Sequence, residues 1–270
     1  MSCPIDESFL DVACQLMLTN MSAPIIQTFP SAEDVAQAAV NAFVRSAREA
    51  VEHRGRFRVA LAGGSTPRRL YQILAEAPHR ELVDWSNIDV FWGDERAVEP
   101  EHADSNFRMA SEALLSRVPL PESQIHRMPA ERLDREMAAA EYQAEIARVF
   151  GVAADGAAPR FDLILSGMGA DGHTLSLFPQ TLALSETSRW VVANWVEQLR
   201  TWRMTMTTVI TRSAREILFC VTGPDKAAPA FDVLRGPSVP QRLPSQLLLD
   251  CAGTVTWLLD APAAAKLAEN

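Results

Sequence analysis

Short runs of almost uninterrupted apolar residues, alternating with stretches of helical spacing, constrain the architecture of this chain more than any other feature. Phe57 to Ala62 precedes a helix-like segment at 67–76, Ile88 to Trp92 precedes another at about 104–116, and Phe161 to Ser166 follows one at 134–150. A strand with one wet face alternates apolar and polar residues, whereas an all-apolar strand is covered on both faces, as parallel strands between helices are. Further strand-like runs lie around Val191, at Arg203 to Thr207, at Ile217 to Thr222 and at Val255 to Leu259, with helices near 225–235 and at the C-terminal end. The pattern predicts an α/β fold: an open, Rossmann-like, mostly parallel sheet flanked by helices. Ahead of it, Ile25 to Phe29 reads as a strand. Ser31 with Asp34 reads as a capping pair that opens one long amphipathic helix ending at Gly55.

A chain of 270 residues can bury a full core. Only Ala153 to Pro159 resembles a linker, and no repeat is present, so residues 25–270 read as a single domain. Residues 1–24 read as a dispensable extension, with Met21 as an alternative start to Met1. The first lysine or arginine is Arg45, whereas signal and transit peptides need early positive charge, and polar residues with Pro24 and Pro30 interrupt the uncharged stretch from Val12 to Ala32. A cytoplasmic protein with no membrane partner is expected. The net charge of −9 opposes a nucleic-acid partner, because phosphate backbones require a basic footprint. Cys3, Cys14, Cys220 and Cys251 have neither CxxC nor zinc-ligand spacing, which suits reduced thiols and no metal site.

Ligands of open α/β sheets sit beyond the carboxyl ends of the strands, so the loops there carry the functional argument. After Val59 to Ala62 comes Gly63-Gly64-Ser65-Thr66-Pro67. Thr66 suits a helix N-cap and Pro67 the first helical position, and the glycines let backbone N–H groups approach an anion at the positive helix end. The loop reads as a phosphate cradle or as a plain tight turn. After Val90-Phe91-Trp92 comes the loop Gly93-Asp94-Glu95-Arg96, either functional or a solvated turn. The third loop, Gly167 to Thr174, contains a literal GxGxxG. A dinucleotide fingerprint should open a long helix, yet Pro179 follows shortly, so the glycines are read instead as a sharp turn presenting Asp171 and His173 to a cleft. His53, His79, His102 and His126 have no such setting. Lysine occurs only at 226 and 266 against 23 arginines, and Lys226 lies in Thr222-Gly223-Pro224-Asp225-Lys226 just past a strand, either reaching a phosphate or opening a helix.

Together these segments resemble the 6-phosphogluconolactonase family, part of a larger group with the glucosamine-6-phosphate deaminases. The resemblance rests on GGSTP at 63–67, FWGDER at 91–96, Ser105-Asn106-Phe107-Arg108, GMGADGHTLSLFP at 167–179, Arg203-Met204-Thr205 and TGPDK at 222–226. Departures are Ala170 for a usual proline, Leu175 for a usual alanine, and no proline just ahead of Arg203. The resemblance implies hydrolysis of 6-phospho-D-glucono-1,5-lactone to 6-phosphogluconate in the oxidative pentose phosphate pathway, with no cofactor. By the same carry-over, Gly63, Gly64, Ser65 and Thr66 hold the phosphate, Arg203 and Lys226 clamp it, and Arg96 adds to the clamp or holds its loop. His173 then acts as general base, with Asp171 or Asp94 orienting its imidazole or the sugar hydroxyls. Backbone N–H groups of the glycine turn are candidate oxyanion donors. A small phosphorylated sugar lactone is the expected partner of a monomer or weak homodimer.

Two rival functions are weighed against this one. An amino-sugar-phosphate isomerase or deaminase resembling the same group carries a glutamate five residues after the turn histidine, where this chain has Phe178, and typically a tyrosine after the acidic pair, where it has Arg96. A sugar-phosphate sensor of the regulator type needs a DNA-binding module, and the 22 to 30 residues ahead of the first strand and helix are too few for one.

Overall fold

The computed structural model describes residues 23–268. The predicted extension, with Cys3, Cys14 and Met21, falls outside the described residues apart from Ala23 and Pro24. Strand β1 (Ile25–Phe29) leads into helix α1 (Ala32–Arg54), whose N-terminus carries the expected capping box: Ser31 Oγ accepts from the Asp34 N–H while the Asp34 carboxylate accepts from the Ser31 N–H. The helix stops at Gly55, which takes the left-handed conformation at φ 74°. There follow β2 (Phe57–Leu61), α2 (Ser65–Leu74), β3 (Ile88–Trp92), β4 (Asp94–Arg96), α3 (Asn106–Ala113), α4 (Arg135–Phe150), β5 (Leu163–Ser166), β6 (Val191–Val196), β7 (Thr201–Met206), β8 (Glu216–Val221), α5 (Ala227–Arg235) and β9 (Thr254–Asp260).

Six strands form an all-parallel sheet in the order β1-β9-β8-β5-β2-β3. The burial that the apolar runs imply is observed, since every residue of β3, β5 and β8 is buried. Helix α1 covers one face, packing on β9, β2, β8 and β1. Phe219 and Trp257 are register partners on β8 and β9, with rings stacked 4.1 Å apart, and burying side chains of this size contributes on the order of 2–3 kcal/mol each. Cys220 and Cys251 are buried free thiols.

Four expectations are corrected. Asp94 to Arg96 is not a loop but a strand, and the runs near Val191 and Arg203 do not join the parallel sheet. They form a second, antiparallel sheet in the order β4-β7-β6, because Gly93 turns the chain out of β3 and hands it to β7. Thr66 is not the helix N-cap: with Gly64 at φ 107° the chain turns two residues earlier, α2 begins at Ser65, and Gly64 occupies the cap. The helix expected near 225 is broken into a 3-10 turn at Pro224–Lys226 followed by α5.

The strand order explains where a site can form. From β2 the chain steps outward to β3, then crosses back to β5 on the other side of β2 and continues to β8 and β9. The loops after β2 and β5 therefore leave in opposite directions and open a crevice between them.

Candidate active site

All four loaded loops leave the carboxyl ends of neighbouring strands, β3, β2, β5 and β8. They enclose a cavity of about 280 Å³ lined by Gly63, Gly64, Ser65, Thr66, Asp94, Arg96, His173 and Lys226. The other two residues singled out in the sequence, Asp171 and Arg203, line an adjoining cavity of about 420 Å³ that Asp94, Arg96 and His173 also border. The ten residues thus surround one two-compartment cleft.

On the β2 side, the Tyr71 hydroxyl ties the loop to its own helix, donating to the Ala62 carbonyl at 2.9 Å and accepting from its N–H at 3.0 Å. Thr66 Oγ1 lies 2.8 Å from Thr222 Oγ1, which links the loop to the one after β8. There the Asp260 carboxylate accepts from the Gly223 N–H, and Lys226 Nζ lies 2.9 Å from Asp225.

On the β5 side, the glycine turn closes on itself. Gly169 N–H donates to the His173 carbonyl at 2.8 Å, and Ser166 and Thr174 hydroxyls meet at 2.6 Å beneath it. His173 Nδ1 is 2.5 Å from Asp171 Oδ1. Burial opposes ionisation of Asp171, but the hydrogen bond and charge of His173 hold its carboxyl below the usual range. An ionised carboxylate only accepts, so Nδ1 carries the proton and Nε2 is left as the basic nitrogen. The imidazole reaches this position because residue 169 has no side chain: a Cβ there would lie 2.1 Å from Nδ1. Its face stacks on Phe178, with centroids 3.9 Å apart.

Of the two candidate carboxylates, Asp171 is the one hydrogen-bonded to the His173 imidazole. Asp94 is occupied elsewhere, accepting from Ser176 Oγ at 2.6 Å and more weakly from Asn106 Nδ2 at 3.5 Å. The glycine turn also offers fewer oxyanion donors than expected, since the N–H groups of Gly169, Gly172 and His173 are all engaged within it.

Arg96 and Arg203 are direct register partners on β4 and β7. Burial, and next the neighbouring Arg96 charge, lower the pKa of Arg203. Arg96 donates to the Asp104 carbonyl, and neither guanidinium has an ion-pair partner among the described residues. The carboxylates of Asp94, Glu95 and Asp104 act on Arg203 from nearby, so the two guanidiniums are partly balanced, but with no ion pair of their own they remain available to an anion.

Three residues that stand inside the motifs have a part in the site that the sequence does not assign them. Glu95, buried to 4% exposure, accepts the N–H groups of Arg96, Asn106 and Phe107 and the Ser105 hydroxyl, anchoring the start of α3. Burial pushes its pKa up despite those donors. Asn106 lines the first cavity, donates to the Asp94 carbonyl at 2.9 Å and lies against Gly63, where any Cβ would collide with its amide oxygen. Ser176 holds Asp94. No group of histidine, cysteine, aspartate and glutamate suited to a metal ion occurs among the described residues, and no helix among them is long and apolar enough to cross a membrane.

Comparison with known proteins gives one answer. Residues 30–257 match the family model of glucosamine-6-phosphate isomerases/6-phosphogluconolactonase. The chain is 42% identical over 220 residues to a 6-phosphogluconolactonase of Synechocystis sp., covering 81% of this chain and 88% of that one. It is 38% identical over 236 residues to a 6-phosphogluconolactonase of Chlamydia trachomatis, covering 87% and 88% respectively. The solved 6-phosphogluconolactonase from Trypanosoma cruzi superposes with a TM-score of 0.81 at 29% identity, covering 92% of this chain and 99% of that one.

Proposed function

The chain belongs to the glucosamine-6-phosphate isomerase/6-phosphogluconolactonase family, and from that premise we propose that it hydrolyses 6-phospho-D-glucono-1,5-lactone to 6-phosphogluconate, with His173 as general base. The observation that carries the reading is the Asp171–His173 pair at 2.5 Å, whose imidazole lines the same cavity as the Gly63–Thr66 loop. A base and an anion cradle that line one cavity fit a phosphorylated ester.

In the proposed reaction the phosphate rests on the Gly64 backbone, Ser65 and Thr66. Lys226 and Arg203 reach it from the two compartments, and Arg96 lies between them. Water sits between His173 Nε2 and the lactone carbonyl. As its oxygen bonds to C1, one proton passes to Nε2 and the carbonyl oxygen becomes an oxyanion. Collapse breaks the bond from C1 to the ring oxygen, which leaves as an alkoxide and takes the proton from the imidazolium. The carboxylic acid product then ionises. Asp171 holds the tautomer with the proton on Nδ1 and stabilises the transient imidazolium, while Asp94, positioned by Ser176 and Asn106, faces the sugar hydroxyls. A base of this kind contributes roughly 10²- to 10⁴-fold. The lysine and arginine contacts act on ground and transition states alike and so contribute affinity more than rate.

The glutamate that the deaminase reading requires is absent from the base, whose ring face is covered by Phe178 instead. We place the reaction in the cytoplasm and in a single domain spanning residues 25–270. The test uses freshly generated lactone, followed by acid release against the spontaneous rate. Hydrolysis no faster than that background, or His173→Ala turning over near normally, refutes the proposal.

A further inference from the structure

We infer that Phe178 is a positioning residue for the proposed hydrolysis, using its aromatic face to stabilise the imidazolium that His173 becomes while offering no acceptor to hold the captured proton. The inference rests on the reading of His173 as the base.

The two rings lie 3.9 Å apart at 23°, close to parallel, and Phe178 is only 5% exposed. Its backbone is pinned on the far side, where the Phe178 carbonyl accepts from the Thr181 hydroxyl at 2.8 Å and from the Thr181 N–H at 3.3 Å. Asn194 in turn donates to that hydroxyl at 3.1 Å, tying the segment to β6. The backbone of residue 178 is thereby fixed, and it is the burial of the side chain that leaves the phenyl ring little room to turn. With Asp171 on Nδ1, no side chain at 169 and Phe178 across one face, the imidazole is left with one orientation and one open nitrogen.

An aromatic face carries negative quadrupole charge. It attracts a cation lying over it and is nearly indifferent to a neutral ring. His173 is neutral when water binds and positively charged as the water oxygen bonds to C1, so the attraction strengthens during the reaction and acts on rate, not on binding. A carboxylate in the same place would also stabilise the cation, but it would compete for the proton at Nε2. That proton must be returned to the departing ring oxygen. A phenyl face supplies attraction without a lone pair, which suits a base that lends its proton within one turnover.

The test compares Phe178→Leu, which keeps apolar bulk without the π face, with Phe178→Tyr, which keeps the face. Phe178→Leu should lower kcat roughly fivefold, with KM and 6-phosphogluconate affinity within twofold, and Phe178→Tyr should recover most of the loss. In a His173→Ala background, Phe178→Leu should have no further effect on the residual rate, because its contribution passes through the imidazole. A Phe178→Leu enzyme with unchanged kcat, a loss appearing in KM, or equal losses in the Leu and Tyr variants overturns the inference. If His173→Ala itself turns over normally, the underlying reading of the base fails instead, so the two failures are distinguishable.

Discussion

Gly169→Ala removes no functional group, yet it should silence the enzyme. A Cβ at residue 169 would sit 2.1 Å from His173 Nδ1, 2.3 Å from Cε1 and 2.6 Å from Asp171 Oδ1. Ordinary van der Waals contact begins near 3.4 Å, so the imidazole must retreat by more than an ångström and the pair with Asp171 must open. Misplacing a reacting group by about 1 Å costs on the order of 100-fold in rate. The fold should barely register the change. The atoms that collide are side-chain atoms and no backbone, residue 169 is not among the glycines with positive φ, and Gly→Ala at a compatible site restricts the unfolded chain by about 0.4–1 kcal/mol in favour of folding. The assay pairs kcat on fresh lactone with thermal unfolding and 6-phosphogluconate titration. The expected result is about a 100-fold fall in kcat, with melting temperature and product affinity near those of the parent. A Gly169→Ala enzyme within threefold of parental kcat would refute the claim that this imidazole position matters.

Asp171→Asn should lower kcat by roughly 10²- to 10⁴-fold with product affinity retained, since the amide no longer selects the tautomer or stabilises the imidazolium; steady-state kinetics decide it. Lys226→Ala and Arg203→Ala should each raise KM about tenfold or more with kcat little changed, and a pure rate defect would count against their role at the phosphate. Far from the cleft, Asp89 is gripped by Arg56 through two bonds of 2.8 Å. Burial opposes its ionisation, but His126 and Arg56 together bring its pKa down to about 2. A depressed carboxyl stabilises the fold above its ordinary pKa and loses that contribution as pH falls through the folded value. Asp89 should therefore contribute about 2 kcal/mol at neutral pH that disappears between about pH 4 and 2, and urea unfolding of Asp89→Asn should show a flatter dependence there. Ser31→Ala should cost about 1 kcal/mol of stability without touching turnover, as paired denaturation and activity measurements would show.

The parallel sheet is legible because its central strands announce two-sided burial residue by residue, as β5 and β8 do, and α1 because Ser31, Asp34 and Gly55 mark both ends. The second sheet was not, because β4 is three charged residues long and its pairing with β7 is a contact between distant parts of the chain. Had Asp94 to Arg96 been read as a strand, the alternation of side chains would have put Asp94 and Arg96 on the cleft side and Glu95 behind them, which is the observed arrangement. Thr66 was misjudged as a cap because Gly64 bends the chain first. The Gly63–Thr66 loop, the Asp171–His173 turn and Lys226 are legible as loops at strand ends. Asn106 and Ser176 were not, since what they contribute is a hydrogen bond to Asp94, set by folding and by no local spacing.

The neighbouring placement of β2 and β5 gives the cleft the character of a gauge. Hydrogen-bonded strands stand about 4.8 Å apart, a spacing that backbone bonds hold more firmly than any loop could. The anion cradle and the histidine are mounted on the two arms of that gauge, one per strand. A ligand anchored by its phosphate offers the base only the atom that lies one fixed span away. On the proposed reaction, a phosphorylated lactone with a shorter carbon chain should be gripped as firmly and left short of the base, so its kcat should fall while its affinity holds.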